Sequence, residues 1–374
     1  MNGVTGRMGY RQHLVRSLLA IRDQGGVLLR DGGRVVPEPV LVGRSADRLA
    51  EIAARHGIDR WTTDLDEVLA DPDLPIYFDA QATHARVKAL TAAIEAGKDV
   101  YTEKPTALGL DDALALARLA RVAGVKAGVV QDKLFLPGIR KLQRLVRGGF
   151  FGRILSVRGE FGYWVFEGDW QPGQRPSWNY RAVDGGGIVL DMFSHWSYLL
   201  HELFGPVQSV NALAVTHLPQ RWDEQGEAYP ADADDAAYAV FELAGGVVAQ
   251  VNSSWCTRVN RDELVEFQVD GTHGSAVAGL RGCRVQHRSA TPMPVWDPDL
   301  PVAERFRDGW QPVPDNEVFD NGFKVQWEAF LRHVFQGDPF PHDFLAGARG
   351  AQLAELGLAS SATGRRLAVP ELEL

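Results

Sequence analysis

The sequence predicts an α/β half built on a parallel sheet, followed by an α+β half built on a large, mostly antiparallel sheet. Three observations carry this. Short apolar runs alternate with helix-period segments up to about residue 130, the pattern of parallel βαβ units. Beyond there, short β-forming runs follow one another, punctuated by Gly-Gly or Asp-Gly, as in an antiparallel sheet. Finally, 374 residues amount to two domains at roughly 100–200 residues each. The division is placed between residues 135 and 136, giving units 1–135 and 136–374.

The chain opens Met1-Asn2-Gly3-Val4-Thr5-Gly6-Arg7-Met8-Gly9, and Leu14, Leu18, Leu19 and Ile21 then keep helical spacing over Tyr10–Arg22. Val27–Val36 reads as a hairpin around Asp31-Gly32-Gly33, a surface insertion. Strands are expected at Pro39–Val42, Ile76–Phe78, Asp99–Tyr101 and Val125–Val130. Helices at Ala46–His56, Asp66–Ala70, Ala85–Ala96 and Asp111–Ala123 separate them. A helix at Gly138–Arg147 leads into the second half, with strands at Ile154–Tyr163, Val207–Val215, Ala236–Leu243, Val247–Ser253 and Leu264–Val269. Helical periodicity returns at Asn321–Phe335 and Ala346–Thr363. Only Met1 and Asn2 precede Gly3, so the first strand of the parallel sheet is almost missing. The expectation is a start codon placed too late and an unsatisfied sheet position beside Val40–Val42.

Composition narrows the partners. The apolar fraction is 45% and the charged fraction 23%, ordinary values that exclude disorder and fibrous repeats. Thirty-nine basic against 48 acidic residues give a net charge of −9, which argues against nucleic acid and anionic membrane. Cys256 and Cys283 are isolated thiols without metal-ligand spacing, so no metal and a reducing compartment are expected. No run of about 18 apolar residues offers a membrane span. The expected location is the cytoplasm.

Five motifs carry chemistry. Gly3, Gly6 and Gly9, with Thr5, Arg7 and Met8 between them, fit a turn whose backbone approaches a pyrophosphate at a helix N-terminus. A plain strand–helix turn is the bland alternative. At the end of the second strand, Gly43-Arg44-Ser45 puts an arginine where a carboxylate would bind the ribose of NAD. An arginine there suits the 2′-phosphate of NADP, and NADP is therefore favoured over NAD. Glu103-Lys104-Pro105 follows a strand at the carboxyl edge of the sheet, where α/β proteins bind ligands. Asp191 and His195 lie four apart after Gly185-Gly186-Gly187, on one face of a helix, and can move a proton as hydride leaves the same carbon. A structural Asp–His pair has the same spacing. An aromatic loop from Tyr163 to Arg181, with Trp164, Trp178, Tyr180 and Arg181, offers faces and polar groups for a sugar ring, or else packs as a loop or dimer contact.

Glu103-Lys104-Pro105 followed by Gly-Gly-Gly-x-x-x-Asp-x-x-x-His resembles the Gfo/Idh/MocA oxidoreductases. The likeness extends over nearly the whole chain, through Phe135-Leu136-Pro137, Asp234-Asp235 and Asp270–Ser275. The resemblance implies a Rossmann-like dinucleotide-binding domain and a substrate domain whose sheet often makes a homodimer or homotetramer. It implies a catalytic lysine at Lys104, a substrate-orienting carboxylate at Asp191 and an acid/base histidine at His195. Glu103 would lie near the nicotinamide ribose, and Gln81 and His84 would be cofactor contacts. Two departures concern the substrate more than the fold. Asp79-Ala80-Gln81-Ala82-Thr83-His84 replaces the usual Thr-Pro-Asn-type turn, and Lys133-Leu134 stands where an arginine usually precedes Phe135. The activity implied is hydride transfer between nicotinamide and a secondary alcohol of a sugar, cyclitol or related polyol. Two alternatives stay open: a redox-neutral, NAD-dependent glycoside hydrolase, and a non-catalytic cofactor-binding sensor.

Overall fold

The computed structural model describes residues 1–302 and 305–374. In the N-terminal half, strands Ile76–Asp79, Asp99–Thr102 and Ala127–Val129 form a parallel ladder. A second parallel pair, Leu41–Val42 with Trp61–Thr62, lies beside it. These two pieces are joined through Asn2, which bridges both Val42 and Asp79 in parallel register. Its N–H donates to the Phe78 carbonyl at 2.8 Å, and its own carbonyl accepts from Ala80 N–H at 2.9 Å. The Met1 amino group donates to the Val40 carbonyl at 2.8 Å and its pKa is pushed down to about 5, chiefly by burial. Next to this short bridge lies a cavity of about 590 Å³, lined by Val40, Val42, Ile76, Phe78, Leu18 and Trp327 among others. Arg22, Glu38, Arg60 and Lys98 also stand on its wall, so the lining is part apolar and part charged.

Most of the expected elements form. The helix after the glycine turn starts earlier than expected, at Met8, and runs as a π-helix over Met8–Leu19 before tightening at Ala20–Asp23. Ser17 Oγ donating to the Gln12 carbonyl at 2.7 Å fits that wide winding. The hairpin forms between Val27–Leu28 and Arg34–Val35. Trp61–Thr62 is a strand not expected from so short a run in polar surroundings.

Among the described residues the C-terminal half carries a nine-stranded sheet and a separate two-stranded one, Gln220–Trp222 with Ala228–Pro230. The spatial order in the large sheet is Gln311–Pro312, Cys283–His287, Gly274–Gly279, Val265–Gly271, Ile154–Gly162, Val247–Ser254, Ala236–Leu243, Val207–Val215 and Leu367–Ala368. Neighbours are antiparallel except Val247–Ser254 with Ile154–Gly162. Alternation puts Phe241, Ala249, Val251 and Phe267 on the inner face. Helix Ile188–Phe204 lies against that face, with Phe193 5.6 Å from Phe241 and Trp196 5.6 Å from Phe267. Each such buried side chain contributes roughly 1.5–3 kcal/mol, so this helix is firmly fixed. Helix Phe344–Thr363 packs beside it. On the outer face Leu213, Tyr238, Val240 and Val248 are exposed.

Residues beyond the 135/136 division return to the first sheet. Within helix Gly322–Gln336, Trp327 packs edge-on at 4.7 Å from Tyr101, and Phe330 stacks on the same ring at 4.6 Å. This contact joins the two halves at the edge where the chemistry-bearing motifs meet.

Candidate active site

The glycine turn is shaped for close backbone approach. Gly3 adopts φ of +82°, and a Cβ there would come within 2.5 Å of the Ala80 backbone. A Cβ at Gly9 would come within 2.5 Å of the Gly3 carbonyl. Gly6 and Arg7 are exposed, and Thr5 and Met8 half-buried, around this turn. A Cβ at Gly43 would lie 3.7 Å from Thr5 Cγ2, so the Gly43–Ser45 loop adjoins the turn. Arg44 is exposed there, as is Ser45, which caps the helix Ala46–His56 by position without a side-chain bond. On the other side of Gly3 stands Gln81, whose Oε1 is buried and without a partner. That orphaned acceptor, with the tight glycine turn, fits a polar ligand spanning turn and loop. His84 is exposed in the first turn of helix Thr83–Glu95.

The departure at Asp79 has a structural explanation. Asp79 is fully buried, and its Oδ1 accepts from Arg86 Nε at 3.1 Å and from Gln81 N–H at 3.0 Å. Tyr77 Oη donates to Oδ2 at 2.9 Å. Arg86 also donates to the carbonyls of Gln81 and Pro105, which ties the Gln81 loop to the Glu103–Pro105 turn.

Glu103 faces inward. Trp327 Nε1 donates to His13 Nδ1 at 2.9 Å, so His13 carries its proton on Nε2 and donates to Glu103 Oε1 at 2.8 Å. Glu103 Oε2 accepts from Lys104 N–H at 3.1 Å. Burial raises the Glu103 pKa, but the His13 contact together with the Lys104 and Arg86 charges outweighs it and the carboxyl is held below its usual range. Each Glu103 oxygen thus accepts one bond inside the protein, which holds the turn that carries Lys104.

Lys104 projects from that turn to the helix Ile188–Phe204. Its Nζ donates to Asp191 Oδ1 at 2.6 Å and to the Asp191 carbonyl at 3.0 Å. Arg175 donates to Asp191 Oδ2 at 2.7 Å and lies over Trp255 at 4.2 Å. Burial would raise the Asp191 pKa; Lys104 and Arg175 overcome it and hold the carboxyl far below the usual range. One turn on, His195 is buried, and its pKa falls well below 6.5 through burial first, then through Lys104 and Lys133. It is a neutral imidazole at neutral pH. The glycine run sets the helix start: a Cβ at Gly186 would strike the Asn179 carbonyl at 2.5 Å. Asp234 caps that start, its Oδ2 accepting from Val189 N–H at 2.7 Å. Asp235 serves the neighbouring loop, accepting from the backbone of His217 and Leu218. Lys104, Asp191 and His195 are thus gathered in one place, and Arg175, which no periodicity marks in its long loop, joins them.

The aromatic loop divides. Tyr180 is 3% exposed, packed on Trp255 at 5.4 Å and covered by Arg221, and its buried hydroxyl has no hydrogen-bond partner among the described residues. Arg258 lies over Trp164 at 3.9 Å and Arg181 over Tyr229 at 4.4 Å, while Trp178 is exposed. Among the described residues no group of three or more His, Cys, Asp or Glu side chains could hold a metal, and no helix is long and apolar enough to cross a membrane.

Residues 29–131 match the GFO/IDH/MocA oxidoreductase family with its NAD-binding Rossmann fold, and residues 139–277 match the GFO/IDH/MocA C-terminal domain. A D-xylose dehydrogenase of Paenarthrobacter nicotinovorans is 60% identical over 378 aligned residues, covering 100% of this chain and 97% of that protein. A levoglucosan dehydrogenase of Pseudarthrobacter phenanthrenivorans is 27% identical over 64% of each chain. Among solved structures, a levoglucosan dehydrogenase in complex with NADH and L-sorbose superposes with a TM-score of 0.80 at 23% identity, over 99% of this chain and 97% of that one. The chain belongs to the GFO/IDH/MocA family of NAD-binding oxidoreductases.

Proposed function

We propose that this protein oxidises a secondary hydroxyl of a sugar, with D-xylose as the leading candidate. The observation that carries the reading is the meeting of Lys104 with Asp191 at 2.6 Å, one helical turn from a buried neutral His195, in a chain 60% identical to a D-xylose dehydrogenase. When bound, the nicotinamide supplies the hydride acceptor. The residues fitted to hold the dinucleotide are the Gly3–Met8 turn with its Thr5, Gly6 and Arg7, then Arg44, Ser45, Gln81 and His84. An exposed arginine in place of a carboxylate at the strand end favours NADP over NAD.

In this reading His195 accepts the hydroxyl proton as the carbinol C–H bond gives up its hydride. Lys104 keeps ammonium protons in the site and hydrogen-bonds the reacting oxygen, stabilising charge as it develops. Asp191 fixes Lys104 and, with Arg175, orients the sugar. Trp164, Trp178 and Arg181 are candidate sugar contacts at the margin. Copies of the chain associate as a dimer or tetramer through the outer sheet face, where Leu213, Tyr238, Val240 and Val248 are exposed. Free thiols at Cys256 and Cys283 agree with a reducing, cytoplasmic setting.

The test is purified protein with NAD⁺ and with NADP⁺ against pentoses, hexoses, inositols and glycosides. Reduced cofactor formed with D-xylose is the expected result. Glycoside cleavage without net reduced cofactor would overturn it.

A further inference from the structure

His195 uses one ring nitrogen inside the protein. Its Nδ1 lies 2.6 Å from the hydroxyl of Tyr198, three residues on along the same helix, while Nε2 has no hydrogen-bond partner among the described residues. Both side chains are buried, and their rings stand nearly perpendicular at 5.6 Å. A neutral imidazole carries its proton on one nitrogen and a lone pair on the other. Only a lone pair on Nε2 can receive a proton from a substrate hydroxyl, so the Nδ1 contact decides what His195 can do. We propose that Tyr198 is a positioning residue for the oxidation: its hydroxyl oxygen accepts from His195 Nδ1–H and leaves the Nε2 lone pair for the substrate proton. The inference rests on the reading of His195 as the proton acceptor.

At 2.6 Å the phenolic oxygen of Tyr198 is within reach of an Nδ1–H and has the lone pair to accept it. Burial first, then Asp132 and Glu103, keep Tyr198 a neutral phenol. Around His195 stand Lys104 from the Glu103–Pro105 turn, Lys133 from the short helix Asp132–Phe135, Arg175 from the aromatic loop and Asp191 from its own helix. The cations work against the imidazolium. On forming, the imidazolium donates from Nδ1 to the Tyr198 oxygen, a bond strengthened by its charge. The opposite arrangement, with Tyr198 donating to Nδ1, would leave Nε2–H and make His195 a donor toward the substrate.

The experiment is ¹⁵N NMR of histidine-labelled protein, with the His195 signals identified by their absence in His195→Gln, beside the pH profile of kcat/KM. The expected wild-type pattern is a protonated Nδ1 and an unprotonated Nε2. In Tyr198→Phe the neutral ring should move to the Nε2–H form. Its kcat should fall at least about tenfold, as a wrong tautomer costs a catalytic histidine elsewhere. The acid limb of kcat/KM should shift to lower pH because the imidazolium has lost its acceptor, with nucleotide affinity unchanged. Should Tyr198→Phe fold poorly, 3-fluorotyrosine at position 198 keeps ring and hydroxyl but is a weaker acceptor. It should give a smaller shift of the same sign. A wild-type proton on Nε2, or variants with unchanged tautomer and pH profile, would overturn the proposal. His195→Ala separates the two readings. If it keeps its turnover, the assignment of His195 as base fails. If it is inactive while both Tyr198 variants behave as wild type, only the role of Tyr198 fails.

Discussion

Asp79 and Asp191 are both carboxylates drawn out of water and paired with an arginine, yet their surroundings differ in one respect. Asp79 and Arg86 are 0% and 3% exposed in their side chains, and the carboxylate's two oxygens are taken up by Arg86, Gln81 and Tyr77. Around Asp191, Lys104, Arg175 and the carboxylate itself stay 17–24% exposed. Lys104 spends two of its donor directions on Asp191, and the ammonium has three. The first cluster is closed upon itself; the second has donors left over and space to use them. The pairing chemistry is alike in both, and what marks a reactive site is the unspent hydrogen-bonding capacity. The same contrast runs through the histidines. His13 has both nitrogens engaged, by Trp327 and Glu103, whereas His195 keeps Nε2.

The largest effect is expected where that spare capacity is removed. Lys104→Ala and His195→Ala should each lower turnover by roughly 10²–10⁴-fold, the usual contribution of acid/base and charge-stabilising groups. Nucleotide affinity should survive in His195→Ala, because this side chain comes from the second half of the chain. Steady-state kinetics beside nucleotide titration checks both. A stable His195→Ala protein with most of its turnover would remove this cluster from the chemistry.

Arg44 sharpens the comparison at the nucleotide end. It stands exposed beside the glycine turn, and only NADP offers the 2′-phosphate that an arginine can grip with charge-assisted bonds. Arg44→Ala should weaken NADP binding about tenfold, a loss of about 1.4 kcal/mol, and NAD binding little. Equal losses, or tighter NAD binding in the unmodified protein, would contradict the preference for NADP.

The smallest expected effect concerns the sheet. The N-terminal ladder is joined across its middle by Asn2, and a groove of about 590 Å³ lies along the same line. A short β-forming, apolar segment fused ahead of Met1 should enter this groove, pair with backbone near Val40 and Ile76, and raise Tm by a few degrees. Thermal unfolding of the fused and unfused proteins decides it; no change in Tm would show that the groove does not accept a strand.

Much of this arrangement was legible in the sequence, for identifiable reasons. Asp191 and His195 declare themselves because four-residue spacing on a strongly apolar helix leaves few other uses for two polar groups. Lys104 is found because a strand ends just before it. Arg175 was not legible: it lies in a loop without periodicity, and its partner is sixteen residues away. Tyr198 reads as part of an apolar helix face until its hydroxyl is seen on His195 Nδ1. The burial of Tyr180 against Trp255 and Arg221 was not legible either, since both partners lie far along the chain. The bond between Glu103 and His13 spans ninety residues and has no local signal in the sequence. The return of Trp327 and Phe330 to the first sheet is likewise a non-local contact that no local pattern encodes.

The central claim is that Asp191 serves the reaction and Asp79 the fold. Asp79→Asn and Asp191→Asn should therefore be measured together, each for unfolding free energy and for turnover per folded molecule. Asp79→Asn removes the charge opposite a fully buried guanidinium, a change that typically costs about 3–5 kcal/mol, and should leave turnover per folded molecule near wild type. Asp191→Asn should lower the unfolding free energy less than Asp79→Asn does, because Lys104 and Arg175 keep access to water, and should lose turnover and apparent sugar affinity together. The reverse pattern, an active but unstable Asp191→Asn beside a stable but inactive Asp79→Asn, would contradict the account.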